Sequence, residues 1–168
     1  KGSDDMDRLE MIRMKVDRMI QDLANKGERK FAYIHLYGTS QFATMLAVRH
    51  HVDATVAAVA AMLHDIASYA YNVGEAEHAK KSAEIVQKLL SESDMFSNEE
   101  IKLITHAILV HSDKQTKDDN IYAEILKDAD VMSHYFYNPK IEITDKERVR
   151  LYYILEMLEL KESEVSTN

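Results

Sequence analysis

Two side chains able to bind a metal ion stand next to each other at His64-Asp65, where the apolar run Val56-Ala57-Ala58-Val59-Ala60-Ala61-Met62-Leu63 stops. A buried segment that ends in two ionisable groups must have their desolvation compensated, and a divalent cation would do so. Such an ion needs further ligands, and His35 upstream and Asp130 downstream are the candidates. Imidazole and carboxylate donors together suit Mn, Fe, Co, Ni or Zn rather than Ca; Mg is admitted as well. Adjacent residues on a regular helix point about 100° apart, so His64 and Asp65 can serve one ion only where local geometry turns both inward, as at a helix end. Taken alone, a His-Asp pair is common by chance, and its plain reading is a buried histidine beside a solvent-facing aspartate.

The elements that must position these residues are helices. Four glycines and one proline leave almost nothing to interrupt them, and apolar residues recur near the 3.6-residue period with no convincing alternation. A first helix is expected from about Asp5 to Asn25, stopped by Gly27, and a second from about Lys30 to His50, carrying His35. Asp53 reads as the N-cap of a third helix, from Ala54 to about Asp65, apolar almost all round and therefore central. A fourth runs from about Glu77 to Leu90. Ser97 to Glu100 forms a capping box that opens a fifth, the sixth spans about Ile121 to Tyr135, and Thr144 to Glu147 is a second capping box that opens the last. The tail after Lys161 is polar and expected to fray. The expectation is one all-α domain over 1–168, a bundle of about seven helices with a motif-bearing core at about 30–136.

Composition excludes several classes of function. The chain of 168 residues is 46% apolar and 30% charged with a formal charge of −8, so a grip on duplex nucleic acid through a basic surface is not expected. No apolar run approaches the roughly 20 residues that span a bilayer, and the first residues do not read as a signal peptide. The absence of cysteine removes disulfides, thiolate nucleophiles and Cys-ligated zinc, and fits a cytoplasmic protein. The oligomeric state is left open.

In order and spacing, His35, then Leu63-His64-Asp65-Ile66, then Asp128-Ala129-Asp130 resembles the HD-domain superfamily of metal-dependent phosphohydrolases. The resemblance extends over roughly His35 to Tyr135 and takes in His78-x-x-x-Ser82-Ala83 and Ala107-Ile108-x-x-His111-Ser112, which recur in small stand-alone members. It implies an all-α fold and a hydrolase acting on a phosphate ester or anhydride, often of a nucleotide or another small phosphorylated metabolite. By motif position His35, His64, Asp65 and Asp130 would be the metal ligands, with Asp130 matching the final aspartate of the pattern better than Asp128. His64 and Asp65 would carry the catalysis, Asp65 by orienting or deprotonating a water molecule. His78 and His111 match positions that in some branches bind a second ion, with the aspartate of the His-Asp pair bridging; otherwise they are substrate-facing or surface histidines. One or two ions are thus implied. The stretch Ala129-Asp130-Val131-Met132 lacks the basic residue that many members carry after the aspartate, and the Gly-Tyr-Pro signature of the cyclic-dinucleotide phosphodiesterase branch is missing.

Of the remaining histidines, His106 lies five residues from His111 and points away from it on a helix, so His111 is the preferred site residue. His134 follows Asp130 by one turn and reads as core or surface. Lys114 and Lys117, in the loop after His111, are candidates to hold a substrate phosphate. The alternative from another class is a nucleotide- or metal-binding regulatory domain that retains the fold without efficient turnover. Retention of the whole minimal ligand set favours the enzyme.

Overall fold

The computed structural model describes residues 7–74 and 76–161. It contains eight helices in chain order: α1 (Arg8–Gln21), α2 (Lys26–Arg49), α3 (Ala54–Leu63), α4 (Ile66–Ala70), α5 (His78–Ser93), α6 (Asn98–Val110), α7 (Ile121–Tyr137) and α8 (Asp145–Met157). No strand occurs among the described residues. The expected helix start at Asp5 and the tail beyond Lys161 lie outside the described residues. No described helix is long and apolar enough to cross a membrane.

The helix starts follow side-chain caps. Asp7, Asn25, Asp53, Ser97 and Asn120 each accept a bond from backbone N–H groups of the turn they open. The boundary between the first two helices differs from expectation. Asn25 Oδ1 accepts from the N–H groups of Gly27 and Glu28 at 2.8 and 3.2 Å, so Gly27 lies in the first turn of α2 and is no stop. The capping signal of Asn25 outweighs the breaking signal of Gly27.

Helix α3 is the centre of the fold. All eight residues from Val56 to Leu63 are buried, and α3 packs against α1, α2, α6 and α7. Its alanines permit this number of close neighbours, since small side chains shorten the distance between axes. The buried apolar residues of all these helices join in one core cluster. Two local devices bring helices close at the site end of α3. A Cβ on Gly38 would stand 3.3 Å from Ser133 Oγ, so the glycine admits α7 against α2 beside His35. Ser82 Oγ accepts from the Ala67 N–H at 3.0 Å, which pins the start of α5 to α4.

The short α4 was not among the expected elements. Asp65, with φ −112° and ψ 18°, breaks the helical path after His64, and its carbonyl oxygen then accepts from the Ser68 and Tyr69 N–H groups to start a new turn. The last helix also departs from expectation: Thr144 makes no side-chain cap bond to the backbone. Its hydroxyl donates to Glu147 Oε2 at 2.7 Å, while the other oxygen of Glu147 is taken by His134. The capping box expected there gives way to a side-chain network at the site.

Candidate metal centre

Four elements converge where α3 ends. His35 sits in the middle of α2, His64 is the C-terminal cap of α3, Asp65 occupies the break before α4, and Asp130 projects from α7. The break solves the problem posed by adjacent residues on a helix: the non-helical backbone of Asp65 swings its carboxylate back toward the His64 ring, with Oδ2 3.2 Å from Nε2. His35 Nε2 lies 3.1 Å from both His64 Nε2 and Asp65 Oδ2. Asp130 Oδ1 stands 3.3 Å from His35 Nε2 and 3.4 Å from His64 Nε2.

A second group shares Asp65. Its other oxygen, Oδ1, lies 3.1 Å from His111 Nε2 and 3.3 Å from His78 Nε2, and the two imidazole nitrogens are 3.3 Å apart. Helix α6 ends at His111 as α3 ends at His64, with nearly the same backbone angles. In both, Nδ1 lies 2.6 Å from the carbonyl three residues earlier, Ala61 or Ile108. A carbonyl only accepts, so each Nδ1 carries a hydrogen and each ring turns its Nε2 toward Asp65.

Ring nitrogens and carboxylates facing one another at these distances call for positive charge between them, whether a proton or a metal ion. Metal bonds of about 2.1 Å put neighbouring ligand atoms about 3.0 Å apart at right angles and about 3.4 Å apart at the tetrahedral angle. The observed separations fall in or near that range. Asp130 Oδ1 is buried and has no hydrogen-bond partner, an orphan acceptor aimed at the cluster. The groups His35-His64-Asp65 and Asp65-His78-His111 could each hold a metal ion, and the same is true of His64-His111-Asp130 and His35-Asp130-His134. Electrostatics point the same way. Burial disfavours charge on His64, yet the Asp65 and Asp130 carboxylates push its pKa up to about 10. Burial also disfavours the charged forms of Asp65 and Asp130. His64 and the other ring nitrogens hold Asp65 well below the usual carboxylate range, and Lys114 and His64 do so for Asp130. Burial pushes His111 down. The cluster therefore collects a proton where a metal ion would stand.

Lys114 lines the cleft, but its ammonium is already engaged. Its ammonium is buried, donates to Asp130 Oδ2 at 2.6 Å and to the His111 carbonyl at 2.5 Å, and so is occupied in fixing one ligand and the backbone of another. Lys117 is exposed and does not line the cleft. The exposed cation on the cleft wall is Lys146, from the first turn of α8. His106 is paired with Asp118 at 2.9 Å, away from the cluster. Asp128, the competing aspartate, is held by Arg150 at 2.9 Å. The same guanidinium donates to the Lys114 carbonyl at 2.6 Å and so clamps the loop that delivers Lys114.

His134 has a larger part than its sequence position indicated. Its ring stacks on that of His35 at 5.1 Å and 11°, its Nε2 lies 3.6 Å from Asp130 Oδ1, and its Nδ1 bonds Glu147 at 2.5 Å. Burial opposes its charge, but the bond to Glu147 and the field of Asp130 raise its pKa. The i, i+4 relation to Asp130 is the signal for it, and a histidine there is commonly a surface residue. Above the cluster opens a cleft of about 820 Å³, walled by Phe31, Tyr69, Ser112, Lys146 and Glu147 among others. Asp65 and Asp130 both line the cleft, and the Asp65 side chain is the more open of the two, 18% exposed against 8% for Asp130.

Comparison with known proteins agrees with this architecture. A crystal structure of a predicted HD superfamily hydrolase from an uncultured Thermotogales bacterium superposes with a TM-score of 0.60 over 92% of either chain, at 22% identity, which shows a shared fold. No curated protein matches the chain. The family model for the HD domain matches residues 32–134, a span that runs from the turn before His35 through Asp130 to His134 and takes in well over half of the chain. The chain belongs to the HD-domain family.

Proposed function

We propose that this protein is a metal-dependent phosphohydrolase that cleaves a phosphate ester or anhydride of a nucleotide or another small phosphorylated metabolite. The observation that carries the reading is the Asp65 carboxylate, shared between two histidine-bearing clusters and reaching the floor of an open cleft. His35, His64, Asp65 and Asp130 would hold one divalent ion, and His78 and His111, with Asp65 bridging, a second. Mn, Fe, Co, Ni, Zn and Mg are all compatible with these donors. When bound, a divalent ion there would supply a lowered pKa for water and positive charge for the phosphoryl oxygens. Asp65 would orient a water molecule at the cleft floor. His64 and His111, tied to backbone carbonyls, keep their rings fixed while this occurs. His134, whose pKa is raised by the bond to Glu147 and the field of Asp130, would serve as the acid for the leaving-group oxygen. Lys146 supplies positive charge at the rim.

Asp65→Ala tests this. With Mn²⁺, Co²⁺, Ni²⁺ or Mg²⁺ supplied, turnover of p-nitrophenyl phosphate, bis-p-nitrophenyl phosphate or nucleotides should fall by about three orders of magnitude, while the helical circular dichroism spectrum is kept. Wild-type turnover by the variant on any ester that the parent cleaves would overturn the mechanism. A parent that binds metal but cleaves nothing in the panel would make a regulatory binding domain the better reading.

A further inference from the structure

A second cavity, of about 300 Å³, adjoins the metal cleft and shares with it Phe31, His35, His134, Thr144 and Glu147. Its own walls are mostly apolar: Ile34 from α2, Tyr137 from the end of α7, and Ile141 and Ile143 from the connection to α8, with Ser133 and Glu142 as the polar members. Phe31, Ile34, Tyr137 and Ile141 are 37–56% exposed, a concentration of large apolar side chains that is notable beside a polar site. The partition between the two spaces is a row of rings. Phe31 lies 6.0 Å from His35 at 9°, and His35 lies 5.1 Å from His134 at 11°, so three nearly parallel planes stand at the boundary. The charged residues of the lining other than histidine are Glu142 and Glu147, and no lysine or arginine lines it. A second phosphate group is therefore unwelcome there, whereas an uncharged flat ring has both an apolar floor and ring faces against which to stack.

We propose that this annex binds the uncharged planar ring of the substrate, so that the enzyme selects phosphate esters whose alcohol carries a nucleobase or an aryl group over those of simple alcohols, sugars and polyols. The inference rests on the phosphohydrolase reading for its substrate. Continuity with the metal cleft makes substrate the occupant: a phosphoryl group on the cluster has its other end beside the shared wall of His35 and His134. A second copy of the chain is the competing occupant.

Two matched pairs of substrates test it, adenosine 5′-monophosphate against ribose 5-phosphate and benzyl phosphate against methyl phosphate. Within each pair the ring is the difference between annex ligands, and the two pairs distinguish a nucleobase from an aryl group. In each pair that the annex serves, the ring-bearing ester should have the higher kcat/KM, and Tyr137→Ser and Ile141→Ser should each lower the ratio within that pair by about tenfold. A readout without turnover is the methyl spectrum of the isoleucines. Adenosine or benzyl alcohol should shift the Ile34 and Ile141 signals and leave those of Ile12 and Ile20, buried on α1, in place. Equal kcat/KM values across both pairs, or an undisturbed Ile34 and Ile141, would overturn the proposal. Annex signals that respond to protein concentration and not to either ring would assign the surface to a dimer contact and overturn it too. If no ester is hydrolysed, the phosphohydrolase reading falls, and the annex is still judged by the methyl shifts.

Discussion

Replacing Lys114 by methionine isolates the electrostatics of the centre. Methionine nearly matches the length of the lysine stem and can lie in the same buried channel, so the change removes a charge and two donors with little loss of volume. The bonds lost are those to Asp130 Oδ2 at 2.6 Å and to the His111 carbonyl. Asp130 is then a buried carboxylate with one oxygen already lacking a hydrogen-bond partner and its largest stabilising charge gone. Breaking a buried pair from one side costs about 3–5 kcal/mol, which in a chain of this size lowers Tm by about 6–20 °C. The sign of the pH dependence separates this from a packing defect. In the parent the folded pKa of Asp130 is depressed, so its contribution to stability is present above the unfolded carboxylate range and lost as pH falls through the folded value. In the variant that pKa moves up relative to the parent, although His64 and His35 still lower it, so the deficit is largest at pH 7 and shrinks as acid protonates Asp130. Circular dichroism melts of metal-free protein at pH 7 and about pH 4.5 read both effects, and Lys114→Met combined with Asp130→Asn should recover most of the loss at pH 7. A single variant that melts within about 2 °C of the parent at pH 7, well under the loss expected for a broken buried pair, refutes the assignment. So does a deficit that does not change with pH.

The remaining expectations are simpler. Metal must displace the proton on His64, whose pKa stands at about 10, so apparent affinity should rise by about tenfold per pH unit from neutrality toward that value. Calorimetry in buffers of different ionisation enthalpy should show proton release, and a pH-independent affinity would contradict the picture. Ser97→Ala removes the hydroxyl that accepts from the Glu100 N–H at 3.2 Å and should cost about 1 kcal/mol, or about 2–4 °C in Tm. It should leave metal affinity unchanged, because the box opens α6 at the end opposite His111.

Legibility in the sequence followed the kind of signal. The run from Val56 to Leu63 could be read as a buried helix because no face of it is polar, and the Ser97 capping box because both of its bonds are local. The order of His35, His64-Asp65 and Asp130 could be read as one site because it resembles the HD-domain pattern. The residues that went unread depend on contacts between distant segments. Lys114 looks like a solvated loop lysine until the Arg150 clamp draws its carbonyl inward. Helix α4 exists because Asp65 leaves the helical path, and no residue pattern announces that. Gly27 and Asn25 offered competing local signals, and a cap with two bonded N–H groups decided between them.

Thr144-x-x-Glu147 is the informative failure, since a good local signal was overruled at the site itself. In a capping box the glutamate would bond the backbone of the cap residue, and glutamine would serve nearly as well. Here Glu147 bonds His134 with one oxygen and the Thr144 hydroxyl with the other, and its charge helps to raise the pKa of His134. Glu147→Gln therefore discriminates between the two roles. If capping dominated, the substitution would be close to silent at every pH. If the charge serves His134, the imidazole pKa falls, which is measurable by NMR titration of its ring protons. A histidine raised in the folded state contributes stability that is fully present below its unfolded pKa of about 6.5 and is lost as pH rises through the folded value. The variant should therefore lose the most Tm at pH 6, with the loss shrinking as pH rises through the folded value of the parent. In the metal-supplied enzyme the basic limb of the kcat profile should move to lower pH with the imidazole, because the protonated ring is the form placed to meet the leaving group. An unchanged His134 titration in Glu147→Gln would return Glu147 to a structural role and remove His134 from the chemistry.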